Sequence, residues 1–284
     1  MKIFLFIFCQ FTLSFASLYS SNHPVTIQEA KYVVQIESNF TNVRHLCSGT
    51  LITNRLVLTV AHCLYRKDSG FATLIRLKIS NQFYYSREYA MRKNFIKFGE
   101  DWDDMALIIL NTPTFNVDEF EQPYNIPTKE SEETFAFGYG INEFRKLPKE
   151  PHKVPIKLIE EENSSECGIY FYFSGAARSC LGDSGGPVFS YLNNNNQEFS
   201  TPLFIGLSLQ IALYVDSKNK NKKFIYGENV NLRDEEMEKC RTANELSVLK
   251  KECILGWLEY LVYNESNFRR KEILKEIFNS FIWK

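Results

Sequence analysis

The stretch from Cys180 to Pro187 (Cys-Leu-Gly-Asp-Ser-Gly-Gly-Pro) constrains this chain more than any other. Glycines surround a single serine, and glycine permits backbone dihedrals and close approaches that a side chain forbids. A serine in such a tight turn is a candidate nucleophile, and the backbone N–H groups of Gly182 and Ser184 are candidates for an oxyanion hole. Taken alone, the stretch is equally compatible with a plain glycine-rich turn, because a serine nucleophile also needs a base and an orienting carboxylate.

Both missing partners have candidates upstream of the serine. Thr59 to Cys63 contains His62, and Asp103 to Leu107 contains two adjacent acids, Asp103 and Asp104. The order His, Asp, Ser along the chain is that of chymotrypsin. At this point the chain resembles the chymotrypsin-like (trypsin-fold) serine proteases, from about residue 25 to about residue 230. The segments that carry the resemblance are Cys47 to Ile52, Thr59 to Cys63, Asp104 to Leu107, Phe137 to Gly140 and Gly182 to Pro187.

The resemblance implies a fold, a function and a set of residue roles. The fold is all-β, with two packed six-stranded antiparallel β-barrels. The function is a secreted serine endopeptidase that hydrolyses peptide bonds through an acyl-enzyme. Ser184 attacks the carbonyl, His62 takes and returns the proton, and Asp104 orients the imidazole. Asp104 is preferred over its neighbour because it starts the Asp-x-Ala-Leu pattern.

Composition and local patterns divide the chain into three parts. Residues 1–16 have a basic start, an apolar run too short to span a bilayer and small residues at the end, which predicts a signal peptide and a secreted, extracellular protein. The resemblance implies that residues 17–230 form the protease domain, and the prolines of residues 111–130 are expected to mark the crossing between its barrels.

The third part, residues 231–284, is predicted to be a helical extension. Glycine and proline are rare in it, and apolar residues such as Leu246, Leu249, Cys253 and Trp257 recur at helical spacing. Two interpretations stay open. The extension packs on the second barrel and stabilises it, or it binds a partner or inhibits the enzyme.

Charge and motif content limit the partners. The formal net charge is −1, so nothing indicates a nucleic acid or an anionic membrane as partner. The expected partners are a peptide or protein substrate and, as a further candidate class, a protein inhibitor. No cofactor or metal is expected, and the protein is expected to be a monomer.

The chain has seven cysteines, and Cys9 lies in the predicted signal peptide. An even number in a secreted chain suggests disulfides, whose connectivity the sequence does not fix. The resemblance implies Cys47–Cys63. The pair Cys167–Cys180 is expected because each cysteine has lost its usual family partner, and Cys240–Cys253 is expected as a local bridge. Three sequons, at Asn39, Asn163 and Asn264, are candidate glycosylation sites.

Two departures from the family pattern concern substrate binding. Arg178 lies where the family places the base of its specificity pocket. Arginine there would repel Lys and Arg substrates and pair with Asp or Glu. The alternative is that Arg178 faces solvent or blocks the pocket. The usual Ser-Trp-Gly edge, which pairs with substrate backbone, is replaced within Gly206 to Ile211.

A third departure concerns activation. In the family, a newly cut N-terminus inserts beside the acid that precedes the catalytic serine, here Asp183, and supports the oxyanion loop. The corresponding stretch, His23 to Ala30, lacks a basic cleavage site and an Ile-Val-Gly-Gly-like start, and signal cleavage would leave Ser17 first. The protein is therefore expected to be zymogen-like as made. The open alternatives are that another group, such as a lysine, pairs with Asp183, or that the loop is ordered without a pair.

These departures leave two functions of different class. The first is a serine endopeptidase with the triad named above. The second is a protease-like secreted protein that binds partners with little or no catalytic activity, because a fold does not fix a function. Labelling by an active-site-directed fluorophosphonate distinguishes the two.

Overall fold

The structure is a computed structural model. It describes residues 25–41, 43–98, 103–114, 133–142, 146–158, 167–174, 178–191, 203–211, 245–266, 271–272 and 274–275. These residues are mostly β. A one-turn helix, α1 (Ile27–Ala30), opens the described chain and is closed by a capping box between Thr26 and Glu29. A short helix, α2 (Lys93–Phe98), lies in the first half of the chain.

The first sheet is curled and contains seven strands in the order β7-β6-β1-β2-β3-β9-β8. A separate two-stranded hairpin, β4 (Tyr65–Arg66) with β5 (Gly70–Phe71), follows the histidine segment. The bounds of the seven strands are β1 (Val33–Asn39), β2 (Arg44–Thr53), β3 (Leu56–Thr59), β6 (Leu74–Ile79), β7 (Gln82–Ser86), β8 (Glu88–Met91) and β9 (Ala106–Ile109).

The seven-strand count differs from the expected six because one stretch of chain is broken into two strands. β7 and β8 lie at opposite edges of the sheet, yet only Arg87 separates them in sequence. The sheet therefore curls until its edges meet at this residue. Ser86 marks the break: its Oγ donates to the Ile109 carbonyl at 2.6 Å and accepts from the Glu88 N–H at 3.0 Å.

The second sheet is a closed barrel of six antiparallel strands in the order β10-β11-β12-β15-β14-β13. The two-barrel, all-β fold expected from the resemblance is confirmed. The bounds of its strands are β10 (Glu133–Gly138), β11 (His152–Leu158), β12 (Gly168–Phe173), β13 (Pro187–Tyr191), β14 (Leu203–Ile211) and β15 (Glu245–Lys250).

Among the described residues of the C-terminal part, the first helix is α3 (Lys251–Asn264). The prediction of helix at Leu246 and Leu249 is wrong, because both lie in β15, which closes the second barrel between β12 and β14. Their spacing of three fits a helix, but a strand also buries both here: Leu246 is in the barrel interior cluster and Leu249 packs in the large core. Residues 212–244 lie outside the described chain.

Two disulfides are present among the described residues. Cys47–Cys63 is the bridge that the resemblance implied. The second bridge is Cys167–Cys253, so the predicted pairs Cys167–Cys180 and Cys240–Cys253 are both wrong. The reason lies in β15: the Lys250 N–H donates to the Cys167 carbonyl at 2.9 Å, which brings the start of α3 beside Cys167. Cys180 is also disulfide-bonded, to a partner outside the described residues.

One large apolar core extends from the first sheet to the second barrel and α3. Tyr32 contacts the ring of Phe189 edge-on at 6.2 Å, and Phe189 in turn contacts Phe137 at 5.4 Å. This aromatic packing joins the first sheet to β10 and β13, and β13 directly follows the nucleophile segment. None of the described helices combines the length and apolar character needed to cross a bilayer.

Candidate active site

His62 lies in a 3-10 turn, Ala61–Cys63, that directly follows β3. The flanking Ala61 and Cys63 are fully buried, and the disulfide to Cys47 on β2 ties the turn to the sheet. The side chain between them keeps 30% of its surface exposed. The turn therefore fixes the backbone of His62 while part of its imidazole ring stays exposed.

Asp104 binds His62 through both carboxylate oxygens. The His62 backbone N–H donates to Oδ1 at 2.8 Å, and the ring Nδ1 lies 2.6 Å from Oδ2. The adjacent Asp103 forms a different contact, an ion pair with Arg92 Nε at 2.8 Å. With Nδ1 occupied by Asp104, the ring's other nitrogen, Nε2, is the one that remains for proton transfer.

Ser184 lies in a turn just before β13, at the junction of the two sheets. Its carbonyl accepts from the Ser48 N–H of β2 at 2.8 Å and lies 3.8 Å from the Cys63 sulfur, next to His62. The following Gly185 has φ +83°, and a side chain there would collide with Thr59 and the Ser48 carbonyl. This close approach between the sheets explains why the serine is followed by glycine.

The turn also leaves two N–H groups available. Gly182 has φ +103°, a left-handed conformation that favours glycine. In the described part of the chain, no group accepts a hydrogen bond from the N–H of Gly182 or of Ser184. The Gly182 carbonyl, in contrast, accepts from Ser48 Oγ at 2.7 Å, and the same Oγ accepts from the Tyr139 N–H at 2.8 Å. The peptide plane between residues 182 and 183 is thus held by a side chain of the first sheet.

Asp183 is buried beneath this turn. Oδ1 accepts from the Gly140 N–H at 2.7 Å and Oδ2 from the Cys180 N–H at 2.8 Å. The His152 Nε2 lies 3.0 Å from Oδ1. A side chain at Gly138 or Gly140 would overlap the Asp183 carboxylate, which accounts for the glycines of the Phe137 to Gly140 motif. Sequence reasoning did not assign a role to Ser48 or His152: Ser48 lies within the Cys47 to Ile52 segment but nothing local shows what its hydroxyl binds, and His152 belongs to no motif.

A second histidine lies beside the first. The ring of His45 contacts that of His62 edge-on, with centroids 6.1 Å apart, and its Nδ1 is 3.2 Å from Arg66 Nη1. Burial, the proximity of His62 and the positive charge of Arg66 lower the pKa of His45 to about 3, so this ring is neutral at physiological pH. A ring nitrogen of His45, a ring nitrogen of His62 and the Cys47 Sγ lie within 4.8 Å of one another. Cys47 has no free thiolate for a metal, however, because it is in a disulfide.

Arg178 is half-buried, and its guanidinium lies over the Phe173 ring at 5.4 Å from the centroid. Burial lowers its pKa from the usual range. Gly206 to Ile211 lies within β14, where the Ser208 carbonyl accepts from the Gly185 N–H at 2.7 Å.

Of the predicted glycosylation sites, Asn39 ends β1, Asn264 is exposed at the end of α3, and Asn163 lies outside the described residues.

Known proteins of similar sequence include serine proteases. The chain is 28% identical to bovine (Bos taurus) coagulation factor XI over 51% of its own length but only 27% of that protein's. It is 29% identical to a snake venom serine protease of Trimeresurus stejnegeri, over 61% of this chain and 72% of the venom protein. It is 27% identical to mouse (Mus musculus) tryptase, over 55% of this chain and 67% of tryptase.

The fold has a close counterpart among solved structures. HL collagenase superposes with a TM-score of 0.58 over 86% of this chain and 98% of the collagenase, at 15% sequence identity. The family model described as Trypsin matches residues 20–221, which include His62, Asp104 and Ser184. The chain therefore belongs to the trypsin family of serine proteases.

Proposed function

We propose that this chain is a secreted serine endopeptidase whose catalytic residues are His62, Asp104 and Ser184. The single observation that carries the proposal is the double hydrogen bond of Asp104 to His62, next to a serine turn whose N–H groups are available. A purely structural histidine in this turn would not need a carboxylate to orient its ring. Family membership supports the same reaction class.

The proposed reaction proceeds through an acyl-enzyme. His62 Nε2 takes the Ser184 Oγ proton as the oxygen attacks the substrate carbonyl carbon, and the N–H groups of Gly182 and Ser184 bind the resulting oxyanion. The His62 imidazolium, stabilised by Asp104, then protonates the leaving amine. Water, deprotonated by His62, attacks the acyl-enzyme and releases the carboxylic acid, while the proton returns to Ser184 Oγ.

The test is labelling of the secreted protein by a fluorophosphonate, with peptide hydrolysis in parallel. We expect wild type and Ser69→Ala, a serine between β4 and β5, to be labelled. We expect Ser184→Ala to be unlabelled and to lose about 10⁶-fold in kcat. Labelling of Ser184→Ala at the wild-type rate, or none of wild type, would contradict the proposal. The latter result favours a protease-like binding protein.

Substrate preference is proposed to depend on Arg178. Its half-buried guanidinium would repel a Lys or Arg side chain before the cleaved bond and pair with Asp or Glu. A panel of peptides that differ only at this position measures the preference. We expect Asp and Glu peptides to be cleaved fastest, and Arg178→Ala to remove the preference. Fastest cleavage after Lys or Arg would show that Arg178 does not line the pocket.

A further inference from the structure

Asp183 is the one carboxylate buried in the nucleophile turn, and its side chain is only 6% exposed. Two backbone N–H groups, from Gly140 and Cys180, donate to it. These bonds tie Cys180, two residues before Gly182, and Gly140, which follows β10, to one carboxylate. The position of the oxyanion N–H groups therefore depends on where the Asp183 carboxylate is held. A buried carboxylate without a counter-charge is unfavourable, so Asp183 needs a cationic partner.

His152 is placed to be that partner. It is the first residue of β11 and lies directly opposite Gly138 of β10 in the strand register. Because Gly138 has no side chain, the imidazole reaches across the strand to the carboxylate, with Nε2 at 3.0 Å from Oδ1. The imidazole is 13% exposed. The contact is thus formed by two largely buried groups from different parts of the second barrel.

The other charged groups near His152 are engaged elsewhere. Lys153 pairs with Glu29 at 2.8 Å, and Glu150 accepts from Asn81 at 3.3 Å. Lys78 donates to the Lys149 carbonyl and lies over the Tyr139 ring. In the part of the chain that the structure describes, His152 is the sole ionisable side chain that contacts the Asp183 carboxylate.

The helix α1, at the start of the described chain, is attached to the second barrel. Glu29 of α1 accepts from Lys153 at 2.8 Å and from the Tyr191 hydroxyl at 2.6 Å. The segment that would carry a newly cut N-terminus therefore continues into a helix held by these groups, while Asp183 is contacted by a side chain from within the barrel.

We infer that His152 is a positioning residue that takes the place of a free N-terminus in this chain. Its imidazole contacts the Asp183 carboxylate and keeps the oxyanion turn open, so that the uncut protein has a formed site. The inference rests on the proposed serine protease function. Of the alternatives that the sequence left open for Asp183, it selects a partner side chain from within the barrel, which is a histidine and not a lysine.

The test compares full-length secreted variants by the rate of fluorophosphonate labelling, with thermal unfolding measured in parallel. His152→Gln replaces the imidazole by an uncharged amide, and His152→Lys places an ammonium group on a flexible side chain. Lys153→Gln is the matched control, because it removes a neighbouring charge that does not contact Asp183. We expect His152→Gln to be labelled about tenfold or more slowly, and His152→Lys and Lys153→Gln to stay within about threefold of wild type. N-terminal sequencing of labelled wild type is expected to find no new end at residues 23–25.

Three results would overturn the inference. The first is wild-type labelling of His152→Gln, the second is equal loss in His152→Lys, and the third is labelled wild type that begins only at residues 23–25. If wild type is not labelled at all, the proposed function fails, and the pair is judged by stability instead. A double-mutant cycle of His152→Gln and Asp183→Asn is then expected to show about tenfold coupling in the unfolding equilibrium constant. Additive effects would overturn the pair.

Discussion

At the scale of single residues, Asp103 and Asp104 are adjacent in sequence but bind different partners. Both are buried, and both bind a nitrogen of a cationic or ionisable side chain. Asp104 binds His62 through Nδ1 and the backbone N–H, whereas Asp103 binds Arg92. In the proposed function the first contact orients the base in a proton transfer, and the second is expected to contribute to stability alone.

This difference gives a matched pair of substitutions. Asp104→Asn is expected to lower kcat by about 10⁴-fold with little change in KM, because the carboxamide holds His62 in the wrong tautomer. Asp103→Asn weakens the pair with Arg92 and is expected to lower stability while kcat stays within a few-fold of wild type. Steady-state kinetics and thermal unfolding of both variants check the expectation. A comparable loss of kcat in both variants would contradict it.

The residues that the sequence could predict are those inside motifs. The proposed reaction requires the pattern formed by His62, Asp104, Ser184 and the glycines around the serine. The contacts of Ser48 and His152 could not be predicted, because each joins segments that are far apart in sequence. Ser48 belongs to the first sheet and binds the Gly182 carbonyl, and His152 of β11 reaches Asp183 past Gly138 of β10. Such contacts depend on which strands pair, and one sequence does not state the pairing.

At the scale of elements, the same limit explains the error at the C-terminus. Leu246 and Leu249 fit a helical period, and no local signal contradicts it. The strand β15 exists because β12 and β14 each offer it a hydrogen-bonding edge. The cysteine pairing was mispredicted for the same reason, since Cys253 is near Cys167 only once β15 has closed the barrel.

The Cys167–Cys253 disulfide links β12 to α3 across 86 residues of sequence. Replacing both cysteines by serine is expected to lower the free energy of unfolding by about 2–5 kcal/mol, because the unfolded chain gains conformational freedom. Denaturant unfolding measures the change, and non-reduced peptide mapping identifies the bridge. Unchanged stability, or a peptide that joins Cys167 to Cys180, would contradict this expectation.

The helix α1 is attached to the second barrel by Glu29. Burial alone raises the pKa of this carboxyl, but hydrogen bonds from Lys153 and Tyr191 and the charge of Lys153 outweigh it and lower the pKa below its usual value. A carboxyl with a lowered pKa stabilises the fold above its usual pKa, and this stabilisation is lost as the pH falls through the folded-state value.

Glu29→Gln is therefore expected to cost about 1–3 kcal/mol at pH 7. The cost is expected to shrink as the pH falls below the usual glutamate pKa of about 4.3, where the unfolded chain takes up a proton, and to vanish once the pH has passed the lower folded-state pKa of Glu29. Chemical denaturation of both proteins from neutral to acidic pH measures the difference. Lys153→Gln provides the complementary control, and a difference between wild type and Glu29→Gln that is independent of pH would contradict the assignment.

At the scale of the whole molecule, the proposed site exists only where the two barrels meet. The first contributes His62 and Asp104, and the second contributes Ser184 and the oxyanion turn. Ser48 joins them, since its N–H donates to the Ser184 carbonyl and its Oγ bridges the Gly182 carbonyl and the Tyr139 N–H. The relative position of the barrels and the shape of the turn are thus coupled through one fully buried side chain.

Ser48→Ala tests this coupling, and Ser38→Ala is its matched control. Both serines are fully buried in the first sheet, but Ser38 Oγ has no hydrogen-bond partner among the described residues. Ser48→Ala leaves the Gly182 carbonyl and the Tyr139 N–H unpaired, so it is expected to cost about 2–4 kcal/mol. It is also expected to slow fluorophosphonate labelling about tenfold, because the peptide beside the oxyanion N–H groups is no longer held. Ser38→Ala removes an unpaired hydroxyl and is expected to leave stability and labelling unchanged or slightly improved. Equal effects of the two substitutions on labelling would show that the bridge does not position the turn.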